Sequence, residues 1–148
     1  MKVTIYTDGS CIGNPGPGGW AAMLRVEING ALREKVISGG EPATTNNQME
    51  LRAAIEALNL IRRPCTIFLY TDSAYLANNF SRIPLWRAKG WQTTVGEVKN
   101  RDLWELLDGI VRTKGIDLRF QKVAGHAGVA DNEAMDTLAR MEAMKFKY

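Results

Sequence analysis

The spacing of apolar residues changes character along the chain, and each change marks an element. Val3-Thr4-Ile5-Tyr6-Thr7 is β-rich and stops at Asp8-Gly9, a turn signal. The segment Gly13-Asn14-Pro15-Gly16-Pro17-Gly18-Gly19 offers neither helix nor central strand. Residues 20–28 and 32–38 flank Asn29-Gly30, a strong hairpin signal, so three antiparallel strands are expected to open the fold. Thr45 and Gln48 are spaced as a capping box. Behind them Leu51, Ala54, Ile55, Leu58 and Ile61 share one helical stripe that Arg63-Pro64 should end. The run Thr66-Ile67-Phe68-Leu69-Tyr70-Thr71 suits a buried parallel strand. Helical segments are expected around 73–82, near 84–90 and over 100–114, the last stopped by Gly115. Residues 117–123 read as a final strand and 131 to about 145 as a final helix. The order βββαβ, helices, βα predicts an α/β fold, a mixed sheet with helices on its faces, in a single domain spanning 1–148.

Composition narrows the class without naming a chemistry. At 148 residues, 45% hydrophobic and 24% charged, the chain fits one globular domain. No apolar run approaches the roughly 20 residues of a membrane span. The N-terminus lacks the pattern of a signal peptide, so no membrane association and a cytoplasmic location are expected. Cys11 and Cys65 form neither a disulfide framework nor a zinc site. Without a heptad seam or spare apolar helix, the chain is expected to be a monomer with no obligate protein partner. Net charge is +3, a lean toward anionic partners. Its distribution says more, because residues 73–96 hold no acid but contain Arg82, Arg87 and Lys89 with Trp86 and Trp91. Two readings stay open: a solvated helix with aromatic anchors, or a phosphate-tracking patch whose aromatics stiffen the surface or meet nucleic acid.

Candidate chemistry lies in the acids. Two strands end alike, in Tyr6-Thr7-Asp8 and Tyr70-Thr71-Asp72. Parallel neighbours would carry both carboxylates to one place beyond their carboxyl ends. Like charges held together there call for a cation or a shared proton. Glu50 flanks the buried helical stripe beside Ala53 and Ala54, and Asp136 comes early in the last helix near Leu138 and Ala139. Taken singly, Glu50 is explained by helix N-terminal charge and Asp136 by exposure. Together the four would be oxygen ligands for hard cations such as Mg²⁺. Two such ions about 4 Å apart can activate water and stabilise the leaving oxygen of a phosphodiester.

At this point the residues resemble those of type 1 ribonuclease H. The match comprises Thr7-Asp8-Gly9-Ser10-Cys11-Ile12-Gly13-Asn14-Pro15-Gly16-Pro17-Gly18-Gly19, then Thr44-Thr45-Asn46-Asn47-Gln48-Met49-Glu50-Leu51, then Tyr70-Thr71-Asp72-Ser73. It continues through Gly90-Trp91, Lys99-Asn100, Asp102-Leu103-Trp104 and Gly125-His126-Ala127-Gly128 to Asn132-Glu133, Asp136 and Leu138-Ala139. The blocks run nearly end to end and in order. The resemblance implies a five-stranded mixed sheet with helices on both faces. It implies Asp8, Glu50, Asp72 and Asp136 as ligands of two Mg²⁺ ions, with Mn²⁺ the candidate substitute. It places His126 on a loop that assists proton transfer or product release. It implies an endonuclease that hydrolyses the RNA strand of an RNA–DNA hybrid, leaving 5′-phosphate and 3′-hydroxyl ends.

For substrate contacts, the resemblance points to Cys11, Gly13, Asn14, Asn46 and Asn47 along the hybrid groove, where 2′-hydroxyls separate RNA from DNA. Thr45 would contact a DNA phosphate besides capping its helix. Trp86, Arg87, Lys89 and Trp91 fall where the family has a basic protrusion that grips the DNA strand. This chain departs from the pattern in three places: Ala88 interrupts the protrusion's cations, Ala74 stands where many members carry an amide, and Ala124 where a lysine is common. No metal ligand is lost by these changes. Three rival readings are another nuclease on this fold, a non-catalytic hybrid-binding module, and a fragment of a reverse transcriptase. Retention of all four acids speaks against the pure binder, and a start at Met1 just before the first strand speaks against the fragment.

Overall fold

In the computed structural model, residues 2–122 and 130–147 are described. Three strands open the chain, β1 (Lys2–Cys11), β2 (Gly16–Ile28) and β3 (Ala31–Thr44), followed by helix α1 (Asn46–Asn59) and strand β4 (Thr66–Thr71). Helices α2 (Ala74–Asn79) and α3 (Ile83–Ala88) are joined by a 3₁₀ turn at Phe80–Arg82. The two-residue strands β5 (Gln92–Thr93) and β6 (Gly96–Glu97) precede helix α4 (Arg101–Lys114), strand β7 (Asp117–Lys122) and helix α5 (Ala130–Met144). The main sheet has the order β3-β2-β1-β4-β7, with β1 antiparallel to β2 and parallel to β4. The expected mixed sheet is therefore present, with its three antiparallel strands first.

Helices cover both faces. Ile5, Ile67 and Leu69 of the sheet pack with Leu51, Ile55 and Leu58 of α1 and with Trp104 and Leu107 of α4 in the larger core. On the other face, Ala21 and Met23 of β2 meet Met135 and Ala139 of α5. Successive residues of β2 serve the two faces in turn, Ala22 toward α1 and Ala21 toward α5, as the pleat requires. Asn29 and Gly30 both take positive φ, 52° and 78°, the backbone an Asn-Gly hairpin turn needs.

Three expectations are corrected. The glycine–proline segment is not excluded from the sheet, since β2 begins at Gly16 and lies between β1 and β3. Pro17 is tolerated because the pairing with β3 shifts register between Gly16 and Gly18, while its carbonyl still accepts from the Ile12 N–H at 2.7 Å. Second, α1 ends at Asn59, short of Arg63-Pro64. Lys114 Nζ donates to the carbonyls of Asn59 and Ile61, at 2.8 and 2.6 Å, and so takes up its terminal acceptors. Third, the capping box is half made. Thr45 Oγ1 accepts from Gln48 N at 3.2 Å, but the Gln48 side chain turns away to Thr44 and Asn100.

Candidate functional site

Parallel pairing places Tyr6 opposite Tyr70, so Asp8 and Asp72 both stand two residues beyond that pair at one end of the sheet. Glu50 reaches them from α1. One oxygen each of Asp8, Glu50 and Asp72 lies within 4.8 Å of the others. Asp136 enters from α5, where its charge bears on Asp8, and its Oδ2 pairs with Arg140 at 3.1 Å. All four expected acids line one cleft of about 440 Å³.

The close approach of α1 depends on Gly9. A Cβ there would lie 2.5 Å from Glu50 N and 2.7 Å from Met49 C, inside helix backbone. The Gly9 N–H donates to Glu50 Oε1 at 2.7 Å and to Asp8 Oδ1 at 2.9 Å, so one amide bridges two of the acids. Thr71 Oγ1 donates to Glu50 Oε2 at 3.4 Å and accepts from Ser73 N at 3.0 Å. The Glu50 carboxylate is thus held from both strands.

Electrostatics set this cluster apart from a surface patch. Burial pushes the Asp8 carboxyl from its ordinary 3.8 up to about 7, with the charges of Asp72 and Asp136 adding to the rise and the hydrogen bond with Glu50 opposing it. Glu50 is raised well above its ordinary value, again first by burial and then by the charge of Asp8. Among the described residues the only ion pair these four acids make is Asp136 with Arg140, so they store repulsion that a bound cation would relieve. Hard oxygen donors around an open cleft fit a divalent metal of the Mg²⁺ class.

A pH dependence follows. A carboxyl raised in the folded protein contributes fully to stability below pH about 4, where both folded and unfolded states are protonated. That contribution is lost as pH rises through about 7. In EDTA, stability to urea is therefore expected to fall between pH 4 and pH 8, with Asp8 alone contributing at most about 4 kcal/mol. Millimolar Mg²⁺ should flatten the profile. An EDTA profile that rises over this window would contradict the geometry.

Of the other expected residues, Cys11, Asn46 and Asn47 line the same cleft. Asn14 Oδ1 accepts from Asn46 N at 2.9 Å, which ties the loop holding Gly13 and Asn14 to the start of α1. Thr45 stands at the N-cap of α1. The structure does not bring Trp86, Arg87, Lys89 and Trp91 to the cleft; they belong to α3 and the turn after it. Trp91 is only 7% exposed and packs on Trp86 at 6.0 Å between centroids, and Trp86 in turn meets Trp104 at 5.6 Å. This packing makes both tryptophans buried or half-buried anchors and is compatible with either reading of the segment's cations. His126 lies outside the described residues, as does Ala124.

Sequence reasoning passed over Gly9, Thr71 and Tyr75 as site residues. The twin Tyr-Thr-Asp tripeptides signalled the threonine, because a hydroxyl beside each acid recurs in both strands. Tyr75 lines the cleft and its Oη accepts from Asn100 Nδ2 at 3.0 Å and Trp104 Nε1 at 2.9 Å. Nothing in local spacing foretells that link between residues 25 and 29 positions apart.

The family model RNase H matches residues 1–144. The chain is 50% identical over 145 residues to Ribonuclease H of Thermus thermophilus, covering 96% of this chain and 84% of that protein. It is 50% identical over 145 residues to Ribonuclease H of Xanthomonas campestris, covering 97% and 93%. Among solved structures it is similar to LC9-RNase H1, a type 1 RNase H with the type 2 active-site motif. That match has a TM-score of 0.83 and 31% identity over 99% of this chain and 74% of the other.

Proposed function

The chain belongs to the ribonuclease H family and is a nuclease for RNA paired with DNA; from that premise we propose that Asp8, Glu50, Asp72 and Asp136 hold two Mg²⁺ ions and that hydrolysis leaves 5′-phosphate and 3′-hydroxyl ends. The observation that carries this reading is the convergence of the Asp8, Glu50 and Asp72 oxygens within 4.8 Å beside Asp136. Mg²⁺ bound there supplies Lewis acidity that activates water and offsets charge gathering on the phosphate.

The chain's own groups supply position. Asp8 within β1 and Asp72 just past the end of β4 present their carboxylates from adjacent strands, and Gly9 N–H with Thr71 Oγ1 fixes the direction of Glu50. Cys11, Asn46 and Asn47 of the cleft, with Gly13 and Asn14 of the adjoining loop, meet the wide minor groove of the hybrid, where amides can bond to 2′-hydroxyls. Thr45 receives a DNA phosphate, and the protrusion bearing Trp86, Arg87, Lys89 and Trp91 holds the DNA strand. Little sequence preference is expected, because minor-groove contacts carry little base information. His126 assists proton transfer or product release. The working unit is a single-domain monomer acting in the cytoplasm; among the described residues no helix is long and apolar enough to cross a membrane.

Two measurements test this reading. RNA fragments downstream of each cut should accept label from polynucleotide kinase only after phosphatase treatment, because they carry a 5′-phosphate; direct labelling would contradict the proposed ends. Asp136→Asn should lower turnover at least about a hundredfold by weakening one metal site, a loss of about 3 kcal/mol. Unchanged turnover at saturating Mg²⁺ would remove Asp136 from the ligand set.

A further inference from the structure

Asp108 is a buried acid that the cleft does not use. It stands on α4 at 8% exposure, where an unpaired carboxylate would be costly. Its Oδ2 lies 3.0 Å from Arg87 Nε and 3.8 Å from Arg112 Nη1. Arg112 is 62% exposed at its side chain and sits at the longer distance, so Arg87 is the main partner. The arginine has come to the acid from a different element, the short helix α3.

The contact is made at Nε, the inner edge of the guanidinium. Among the described residues no second carboxylate pairs with Arg87, and 37% of its side chain is exposed. The outer amines of the fork remain for a ligand, and this fork suits phosphate. The anchor beneath it is stiff. Trp86, the neighbour of Arg87, packs on both Trp91 and Trp104, and Trp91 N donates to Trp86 O at 2.7 Å. Trp104 packs on Tyr75 at 5.6 Å and donates its Nε1–H to Tyr75 Oη in the cleft wall. A continuous chain of packed rings therefore joins α3 to the carboxylate cleft.

We infer that Asp108 is a positioning residue for the substrate: it holds Arg87 by Nε so that the outer guanidinium edge meets a backbone phosphate of the hybrid's DNA strand. The inference rests on the reading of Arg87 as a substrate contact. A long, otherwise mobile side chain is fixed before binding, so less freedom is lost when the phosphate arrives. The negative charge of Asp108 lowers the net charge of the protrusion, yet the ordered fork outweighs that in affinity. Catalytic chemistry is untouched, because Asp108 lies outside the cleft lining.

The test compares Asp108→Asn, Arg87→Gln and the double variant in steady-state cleavage of a hybrid across a salt series. Asp108→Asn is expected to raise KM several-fold at 100 mM salt, with kcat within twofold of the parent. It should lower the slope of log KM against log salt by up to about 0.9, the share of one phosphate contact. Arg87→Gln should raise KM likewise, and the double variant should be no worse than Arg87→Gln alone. A merely structural role would shift the melting temperature but not the salt slope. If Asp108→Asn folds poorly, Asp108→Ala, which removes the carboxylate without adding bulk, carries the same comparison. Raised KM in Arg87→Gln with an unchanged or lowered KM in Asp108→Asn overturns the inference and leaves the contact intact. An unchanged KM and slope in Arg87→Gln overturns the inference together with the contact, while hybrid cleavage by the parent still stands.

Discussion

Asp8→Asn is expected to abolish Mg²⁺-dependent cleavage of a hybrid, by at least about a thousandfold, while making the metal-free protein more stable. Both effects come from one position. One oxygen of Asp8 lies within 4.8 Å of oxygens of Glu50 and Asp72, and Asp8 feels the charges of Asp72 and Asp136, so its charge bears on the whole cluster. Losing its charge weakens each metal position at once, and about 4 kcal/mol of lost transition-state stabilisation is a thousandfold in rate. In the absence of metal the same charge is a burden, because burial and repulsion hold the Asp8 carboxyl up at about 7. A neutral amide of the same shape removes that repulsion. In EDTA at pH 8 the variant should therefore unfold at higher urea than the parent, and at pH 4 the two should unfold alike. Parallel urea titrations with a cleavage assay check it. A variant that keeps a tenth of the parent's activity, or that is less stable in EDTA at pH 8, would show that Asp8 is not the centre of a repulsive metal site.

Gly9→Ala is expected to cost about 3 kcal/mol of stability and at least about a hundredfold in activity. The added methyl would fall 2.5 Å from Glu50 N and 2.7 Å from Met49 C, both helix backbone that cannot rotate aside. Overpacking at a site that cannot yield costs about 1–3 kcal/mol or more. Relief requires α1 to move off β1 by about an ångström, and that shift carries Glu50 away from the Gly9 N–H and from Asp8. Displacement on that scale costs on the order of a hundredfold in rate. Urea unfolding in saturating Mg²⁺ and the rate at saturating hybrid measure the two effects. A variant with parent-like stability and rate would mean that α1 does not press on the strand as described.

Much of this was legible in the chain. Hydrophobic period gave the elements, because a stripe such as Leu51, Ala54, Ile55 and Leu58 has one way to be buried. Asp8 and Asp72 were readable as partners because identical tripeptides close two apolar runs whose strands pair in parallel, although β1 continues past Asp8 to Cys11 instead of stopping at the expected turn. Glu50 and Asp136 were not decided by local pattern, since a helix N-terminus or an exposed helical position explains each alone. Resemblance singled them out, and tertiary packing brings them to the same cleft. Pro17 within β2 was missed because its strand survives through a register shift, a property of the β2–β3 pairing rather than of any one residue. The hairpin of β5 and β6 is too short for a period, and the Arg87–Asp108 pair joins residues 21 apart with no repeating pattern between them. Side-chain links of that kind follow from the fold, so they become visible only when it does.

The central claim is metal-dependent cutting of RNA in a hybrid by these carboxylates. Its most direct test is cleavage of an end-labelled 12-mer RNA, paired with DNA or with RNA, in Mg²⁺ or in EDTA. RNA fragments are expected from the hybrid in Mg²⁺, and intact RNA in the other three conditions. Tight hybrid binding with no cutting in any divalent metal would contradict it.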